Sequence, residues 1–257
     1  MNLAGLKLFI LCSLLIFIPT HIFSLSSNCS KIDRENIRKN LPVGDFKILS
    51  EREVGGLCEI VININGRIIP LYGNESFLIS GDMFSIRNNL TSEKIAEVRK
   101  NLFLKNIGGI EKSVAFVYSP PVVKSEKIIY MFTEPLCSYC HKAGAEIKKM
   151  ADEYGFVVKV LLTSMSGGEG KRKCVEAACR HYSSEKNFNL EEYNQIDWKK
   201  ERADEKYICE KGIKLIELTE TTAATIAVDG VPFFFTSSGD FVSGADFDAI
   251  KLLIKSD

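Results

Sequence analysis

The sequence predicts an α+β protein of two unequal units joined by a helix, and three stretches carry that prediction. The run Lys127–Thr133, apolar enough for a strand buried on both faces, delivers Cys137-Ser138-Tyr139-Cys140 onto the start of a helix. Asn65-Gly66, between two β-rich runs, marks a tight hairpin, because both central residues of such a turn need positive φ. Gly230-Val231-Pro232 opens a strand that Ser238-Gly239-Asp240 turns into its neighbour, ahead of a closing helix.

In chain order, Cys29–Leu41 reads as a short amphipathic helix with Ile32, Ile37 and Leu41 apolar, and Pro42-Val43-Gly44-Asp45 breaks it. Strands follow at Phe46–Leu49, Leu57–Ile64, Arg67–Tyr72 and Phe77–Ile79, separated by Gly55-Gly56, Asn65-Gly66 and Gly73-Asn74. So small a unit has a thin core, and an oligomeric interface along its sheet would stabilise it. Thr91 can cap a helix to about Asn101, with Ile95, Val98 and Leu102 on one face and Lys94, Glu97, Arg99 and Lys100 on a charged one. Gly108-Gly109 and Pro120-Pro121 surround the next boundary, which suits a linker helix.

After the cysteine pair, Lys142–Tyr154 carries Ala143, Ile147 and Met150 on one helical face, and Gly155 ends it. Phe156–Leu162 is a second buried strand, giving a right-handed β-α-β unit with a parallel pair. The polar, cysteine-bearing stretch Ser164–Gly212 reads as a helical insertion, and Leu215–Val228 as helix. The hairpin Phe233–Ser243 follows, then a last helix from Asp246 that would bury Phe247, Ile250, Leu252 and Leu253.

Lysine and arginine number 33, aspartate and glutamate 33, for a formal net charge of zero. That balance gives no reason to expect nucleic acid as a partner, and it makes apolar surface more important than steering. Met1–Ser27 holds Lys7, an apolar run Leu8–Pro19 broken by Ser13, and small residues at Ser24, Ser26 and Ser27, the pattern of a cleaved secretory signal peptide. The run is short for a membrane anchor and contains Pro19. Of eight cysteines, Cys12 would leave with that peptide. Cys29, Cys58, Cys137, Cys140, Cys174, Cys179 and Cys209 remain, an odd set in a compartment that permits disulfides.

Cys137 at a helix N-terminus meets unpaired N–H groups and the positive end of the macrodipole, which favour its thiolate. Cys140, three residues on, is within reach to resolve a mixed disulfide, and a strand feeding Cys-x-x-Cys into a helix is the geometry of a thiol–disulfide oxidoreductase. Half a zinc site is the bland alternative, but a second cysteine or histidine pair at ligand spacing is missing. Cys137–His141 also spells the c-type haem signature Cys-x-x-Cys-His, although a buried strand is not the usual lead-in to a haem motif.

The order of elements resembles the thioredoxin fold, and within it the chain resembles the periplasmic disulfide isomerase family DsbC/DsbG. Phe132-Thr133 ahead of Cys137-Ser138-Tyr139-Cys140-His141-Lys142 is similar to the family's active-site block. Ile79-Ser80-Gly81-Asp82-Met83-Phe84 is similar to its N-terminal domain signature, and Gly230-Val231-Pro232 with Gly239 and Gly244 to its cis-proline loop and hairpin. With the signal peptide over 1–26 set aside, the resemblance implies a small cystatin-like α+β dimerisation domain over 27–90, a linker helix over 91–112 and a thioredoxin-like catalytic domain with a helical insertion over 113–257. It implies a V-shaped homodimer in the periplasm, misoxidised exported proteins as substrates, a membrane thiol reductase as electron donor, and no metal or organic cofactor.

By that resemblance Cys137 and Cys140 are catalytic, Val231, a cis Pro232 and Tyr139 bind substrate, and Ser138 and His141 modulate the pair. A cis X-Pro bond would turn the backbone of Val231 toward the cysteines, where its N–H and C=O can hold a substrate strand; a proline that merely starts an edge strand is the plainer reading. The family's structural disulfide maps onto Cys179 and Cys209, leaving Cys174 spare, with Cys174–Cys179 as the other pairing. Cys29 and Cys58 have no family counterpart, yet both lie in the small unit and are expected to bond. Ser138 stands where glycine or proline is usual, and Val231 where threonine is common, positions that tune the potential and the isomerase-versus-oxidase preference. Within the class the alternative is a dedicated reductase or sulfenic acid rescuer of the DsbG kind; outside it stand a c-type haem protein and a chaperone-like dimer without redox turnover. Asn74-Glu75-Ser76 and Asn89-Leu90-Thr91 match glycosylation acceptors, a pattern with little weight in a bacterial family.

Overall fold

The computed structural model describes residues 29, 32–42, 44–183, 188–200 and 207–255. The expected signal peptide and parts of the insertion lie outside them. The first unit opens with α1 (Arg34–Asn40), capped by Asp33, whose carboxylate accepts from the Asn36 N–H at 2.8 Å. An antiparallel meander follows, β1 (Lys47–Val54), β2 (Leu57–Ile64), β3 (Arg67–Gly73) and β4 (Leu78–Ser80), in that spatial order. Asn65 and Gly66 take φ of 50° and 89°, as the β2–β3 turn requires. One face of the sheet closes over Ile37, Phe46, Cys58, Ile60, Ile62 and Leu71. On the opposite face of β2, Glu59 is fully buried and pairs with Arg52 across the β1–β2 ladder.

The connecting helix α2 (Leu90–Lys105) begins one residue before Thr91 and runs past Asn101. Its cap is Asn89, whose side chain accepts from the Ser92 N–H at 2.9 Å. Thr91 is instead buried inside the first turn, where its hydroxyl accepts from the Met83 N–H at 2.7 Å and meets the Tyr72 hydroxyl. The charged face is only partly exposed. Lys94 and Arg99 are buried, the first paired with Glu97 and the second with Asp229. A short helix, α3 (Ile107–Lys112), follows.

The second sheet has the order β5-β7-β6-β8-β9, from β5 (Phe116–Tyr118), β6 (Ile128–Thr133), β7 (Val157–Leu162), β8 (Phe233–Thr236) and β9 (Phe241–Ser243). β6 and β7 are parallel, and α4 (Ser138–Tyr154) makes the crossover between them. Alternation along β6 divides the core. Ile129 and Met131 face α4 and α8 (Phe247–Lys255), while Tyr130 and Phe132 face Phe103 of α2 and Ala223 and Ile226 near the end of α7 (Glu210–Thr225). Every β6 residue from Ile129 on is buried, so the run reads as continuous apolar sequence.

The described insertion comprises α5 (Gly168–Ser183) and α6 (Leu190–Gln195), the latter started by a capping box between Asn189 and Glu192. α7 starts five residues before Leu215, at Glu210, because Cys209 caps it. α8 buries Ile250, Leu253 and Ile254, but Leu252 is 69% exposed, contrary to expectation. Ile250, Leu253 and Ile254 fall on one helical face, and Leu252 is turned nearly opposite to it.

Glu111 of α3 fastens that helix to the sheet, accepting from Lys159 Nζ at 2.6 and 2.8 Å and from the Tyr130 hydroxyl. Desolvation pushes the Glu111 carboxyl up, but the Lys159 and Tyr130 donors outweigh it and hold it below its ordinary value. Burial first, and then the Glu111 contact, pushes the Tyr130 hydroxyl up. A carboxyl depressed in the folded state stabilises above its unfolded pKa, and the contribution disappears as pH falls through the folded one. The melting temperature of the wild type should therefore exceed that of Glu111→Gln at neutral pH, and the gap should close below about pH 4. A gap unchanged across that range would mean that the carboxylate charge contributes nothing.

Candidate active site

β6 ends at Thr133, and Glu134-Pro135-Leu136 turns the chain so that Cys137 becomes the cap residue of α4, with φ −85° and ψ 110°. Its Sγ accepts from the Cys140 N–H at 3.1 Å, the hydrogen bond that serine or aspartate supplies in an ordinary cap. Negative charge on this sulfur would therefore be held by a backbone donor and by the helix dipole. Cys137 is half-buried, Cys140 is fully buried beneath it, and the two are paired as a disulfide with Cα atoms 5.2 Å apart. Between them Ser138 is exposed, and Tyr139 is 65% exposed with Lys142 Nζ 5.8 Å above its ring.

The Val231–Pro232 peptide is cis. The Val231 carbonyl oxygen lies 3.7 Å from Cys137 Sγ, and Val231 itself remains partly exposed. Pro232 is buried, and its carbonyl accepts from the Gly244 N–H at 2.8 Å, which ties the loop to the residue just after β9. His141 Nε2 is 2.7 Å from the Pro135 carbonyl, and the ring stacks on Tyr193, centroids 5.6 Å apart and planes within 12°. This ring braces the turn before Cys137, so axial haem ligation would first require breaking both contacts. Among the described residues no group of three or more His, Cys, Asp or Glu side chains is placed to hold a metal ion.

Two contributors escaped the sequence reading. Glu134 is 1% exposed, and its carboxylate accepts from the N–H groups of Met165 and Ser166, both at 3.1 Å, and from the Ser164 hydroxyl at 3.2 Å. It thus locks the loop after β7 to the turn that carries Cys137. Gly170 of α5 leaves room for it, since a side chain there would strike the carboxylate. The available signal was a lone acid between an apolar strand and the cysteine motif. Tyr193, fully buried from the insertion, supplies the stacking partner for His141, and burial pushes its hydroxyl well up. Nothing in local sequence joins Tyr193 to His141, which are brought together only when α6 packs on α4.

Cys179 and Cys209 are paired, with Cα atoms 5.8 Å apart, as are Cys29 and Cys58 at 4.9 Å. Closing a loop of the first pair's length stabilises by about 3–4 kcal/mol in the chain-entropy account. Cys174 stands alone and buried, which leaves the Cys174–Cys179 pairing unmade. Burial, then the charges of Glu134 and Glu220, push its thiol well up, so it is a protonated core residue and not a second nucleophile. The asparagines of both glycosylation patterns are engaged in local caps, Asn89 at α2 and Asn74 with the Ser76 N–H at 2.8 Å.

No family model and no curated protein matches the chain. Solved structures do. A linker-deletion variant of Proteus mirabilis ScsC superposes with a TM-score of 0.54 at 14% identity, covering 65% of this chain and 85% of that one. The catalytic domain of the same protein gives 0.51 at 14% identity, covering 61% and 96%. The thiol-disulfide exchange protein α-DsbA2 of Wolbachia pipientis gives 0.50 at 15% identity, covering 65% and 98%. The second unit has the thioredoxin fold. In that fold the parallel β6–β7 pair, the crossover α4 and the antiparallel β8–β9 hairpin are the parts that bring Cys137 and Val231 together.

Proposed function

We propose that this chain is a thiol–disulfide interchange protein that isomerises or reduces incorrect disulfides in exported proteins. The observation that carries the reading is a partly exposed cysteine capping a helix, its sulfur bonded to the N–H of a second, buried cysteine and facing the Val231 carbonyl. The thiolate of Cys137 attacks one sulfur of a substrate disulfide. That S–S bond breaks, its electron pair leaves on the other substrate sulfur, and a mixed disulfide forms. If a substrate thiolate then attacks the substrate sulfur of the mixed disulfide, Cys137 is released and the substrate disulfide has moved without net redox change. If the Cys140 thiolate attacks Cys137 Sγ instead, the substrate leaves as a dithiol and the protein is oxidised to the Cys137–Cys140 disulfide. An external dithiol, supplied in this reading by a membrane thiol reductase, must then return two electrons. Neither route needs a metal or organic cofactor.

Substrate is held by the main chain of Val231 beside Pro232 and by the exposed ring of Tyr139, with Ser138 and His141 setting the balance between dithiol and disulfide. We assign residues 27–90 to a dimerisation domain, 91–112 to the linker and 113–257 to the catalytic domain. Homodimerisation is supported by Phe77, Ile79, Phe84 and Ile86, apolar and 45%, 52%, 67% and 105% exposed around the short edge strand β4. The placement is periplasmic, after removal of residues 1–26.

Refolding of a scrambled multi-disulfide protein in glutathione buffer tests the reading, with the mature chain compared against Cys137→Ala. Recovery by the wild type and none by the variant is the expected result. Reduction of a simple disulfide without recovery would assign the dedicated reductase role. Inactivity in both assays overturns the proposal.

A further inference from the structure

The connection that carries Val231 is touched from outside the second sheet as well as tied to Gly244. The last turn of α7 and the connection from it to β8 are contacted from two directions. From α2, Arg99 is 6% exposed and donates through Nη2 to Asp229 Oδ2 at 3.1 Å, two residues before Val231. Its guanidinium lies 5.2 Å from the ring centre of Phe233 and 4.8 Å from that of Phe241, and its buried Nε–H has no partner among the described residues. From the first unit, Asn63 Nδ2 donates to the Ala224 carbonyl at 3.2 Å, and Asn63 Oδ1 accepts from the Gly66 N–H at 2.8 Å. Gly66 seats the β2–β3 turn so closely that a Cβ would stand 3.4 Å from both Ala224 Cα and the Val228 carbonyl oxygen.

A buried guanidinium with an unsatisfied donor is a costly way to fill space beside two phenylalanines, and an apolar side chain would pack there at less cost. What arginine adds is a directional, charge-assisted hydrogen bond to Asp229. We infer that Arg99, acting through Asp229, is a positioning residue that holds the Val231 main chain in register to receive a substrate strand at Cys137, so that substrate capture depends on the docking of α2. The inference rests on the thiol–disulfide reading above and extends it to the helix between the units.

The test is steady-state reduction of an unfolded, disulfide-bonded polypeptide with glutathione as electron source, using the full mature chain as wild type, Arg99→Met, Asp229→Asn and the double variant. Each single variant should raise KM about tenfold with kcat within about twofold, and the double should be no worse than the poorer single, as expected of two ends of one contact. The two substitutions change local charge in opposite senses. An effect that ran only through the Cys137 thiolate would therefore move them in opposite directions, and opposite shifts overturn the proposal. Unchanged KM in both singles, or additive losses in the double, also overturns it. Should Arg99→Met fail to fold, Asp229→Asn decides alone, since the Asp229 side chain is 37% exposed and its loss leaves the core intact. A wild type inactive on this substrate removes the underlying reading and the inference with it, whereas an active wild type with unaltered variants removes the inference alone.

Discussion

Cys140→Ala should accumulate mixed disulfides with reduced, then re-oxidising, polypeptide substrates, and Cys137→Ala should form none. The asymmetry follows from burial and from the direction of the helix. Cys137 is partly exposed and caps α4, whereas Cys140 has no accessible surface and lies one turn inside. An incoming disulfide therefore reaches only the first sulfur. Cys140 can attack nothing but Cys137 Sγ, which faces it across a Cα separation of 5.2 Å. Removing Cys140 deletes the intramolecular exit, and release of substrate slows to the rate at which substrate thiols find the mixed disulfide; intramolecular resolution is worth an effective concentration of about 10⁵ M or more in well-oriented systems. Non-reducing electrophoresis after acid quench, with mass mapping of the adduct, reads the result directly. Adducts mapped to Cys140 in the Cys137→Ala chain would reverse the assignment of nucleophile and resolver.

Phe103→Ala carries the second large effect, on stability. Phe103 is fully buried on the far face of the sheet, stacked on Phe235 with centroids 4.5 Å apart and edge-on to Tyr130 at 5.4 Å. It is the apolar anchor by which α2 grips the thioredoxin fold, with Ile110, Ala223 and Ile226 around it. Truncation to alanine should cost about 3–5 kcal/mol, the range for a buried phenylalanine whose cavity cannot collapse. Its neighbour Leu104 is 44% exposed, and Leu104→Ala should stay within about 0.5 kcal/mol. Urea unfolding of both variants beside the wild type makes the comparison. Equal small losses would mean that α2 is only loosely attached, and would weaken the case for control of Val231 from that helix.

Much of the second unit was legible in sequence because its signals are local. The apolar run of β6, the helical spacing of Ala143, Ile147 and Met150, and Gly155, whose φ of 75° ends α4, each report on a few neighbouring residues. The Asn65-Gly66 turn was legible for the same reason. Errors arose where packing overrode a local pattern. Leu252 looked like core by composition, yet the helical phase set by Ile250, Leu253 and Ile254 turned it outward. Lys94 and Arg99 fall on the charged face of α2 in sequence, yet both are buried.

Sequence alone determined that Cys137 caps a helix with Cys140 one turn behind it, since strand, turn and helix are contiguous and a cap bond spans three residues. Only the tertiary structure decided what surrounds that pair. The Val231 carbonyl stands 3.7 Å from Cys137 across a separation of 94 residues, Glu134 binds a loop 31 residues on, and Arg99 reaches Asp229 from 130 residues away. Such contacts leave no periodicity to read, because they depend on how β6, β8 and α2 pack together rather than on any residue's own preference for helix or strand.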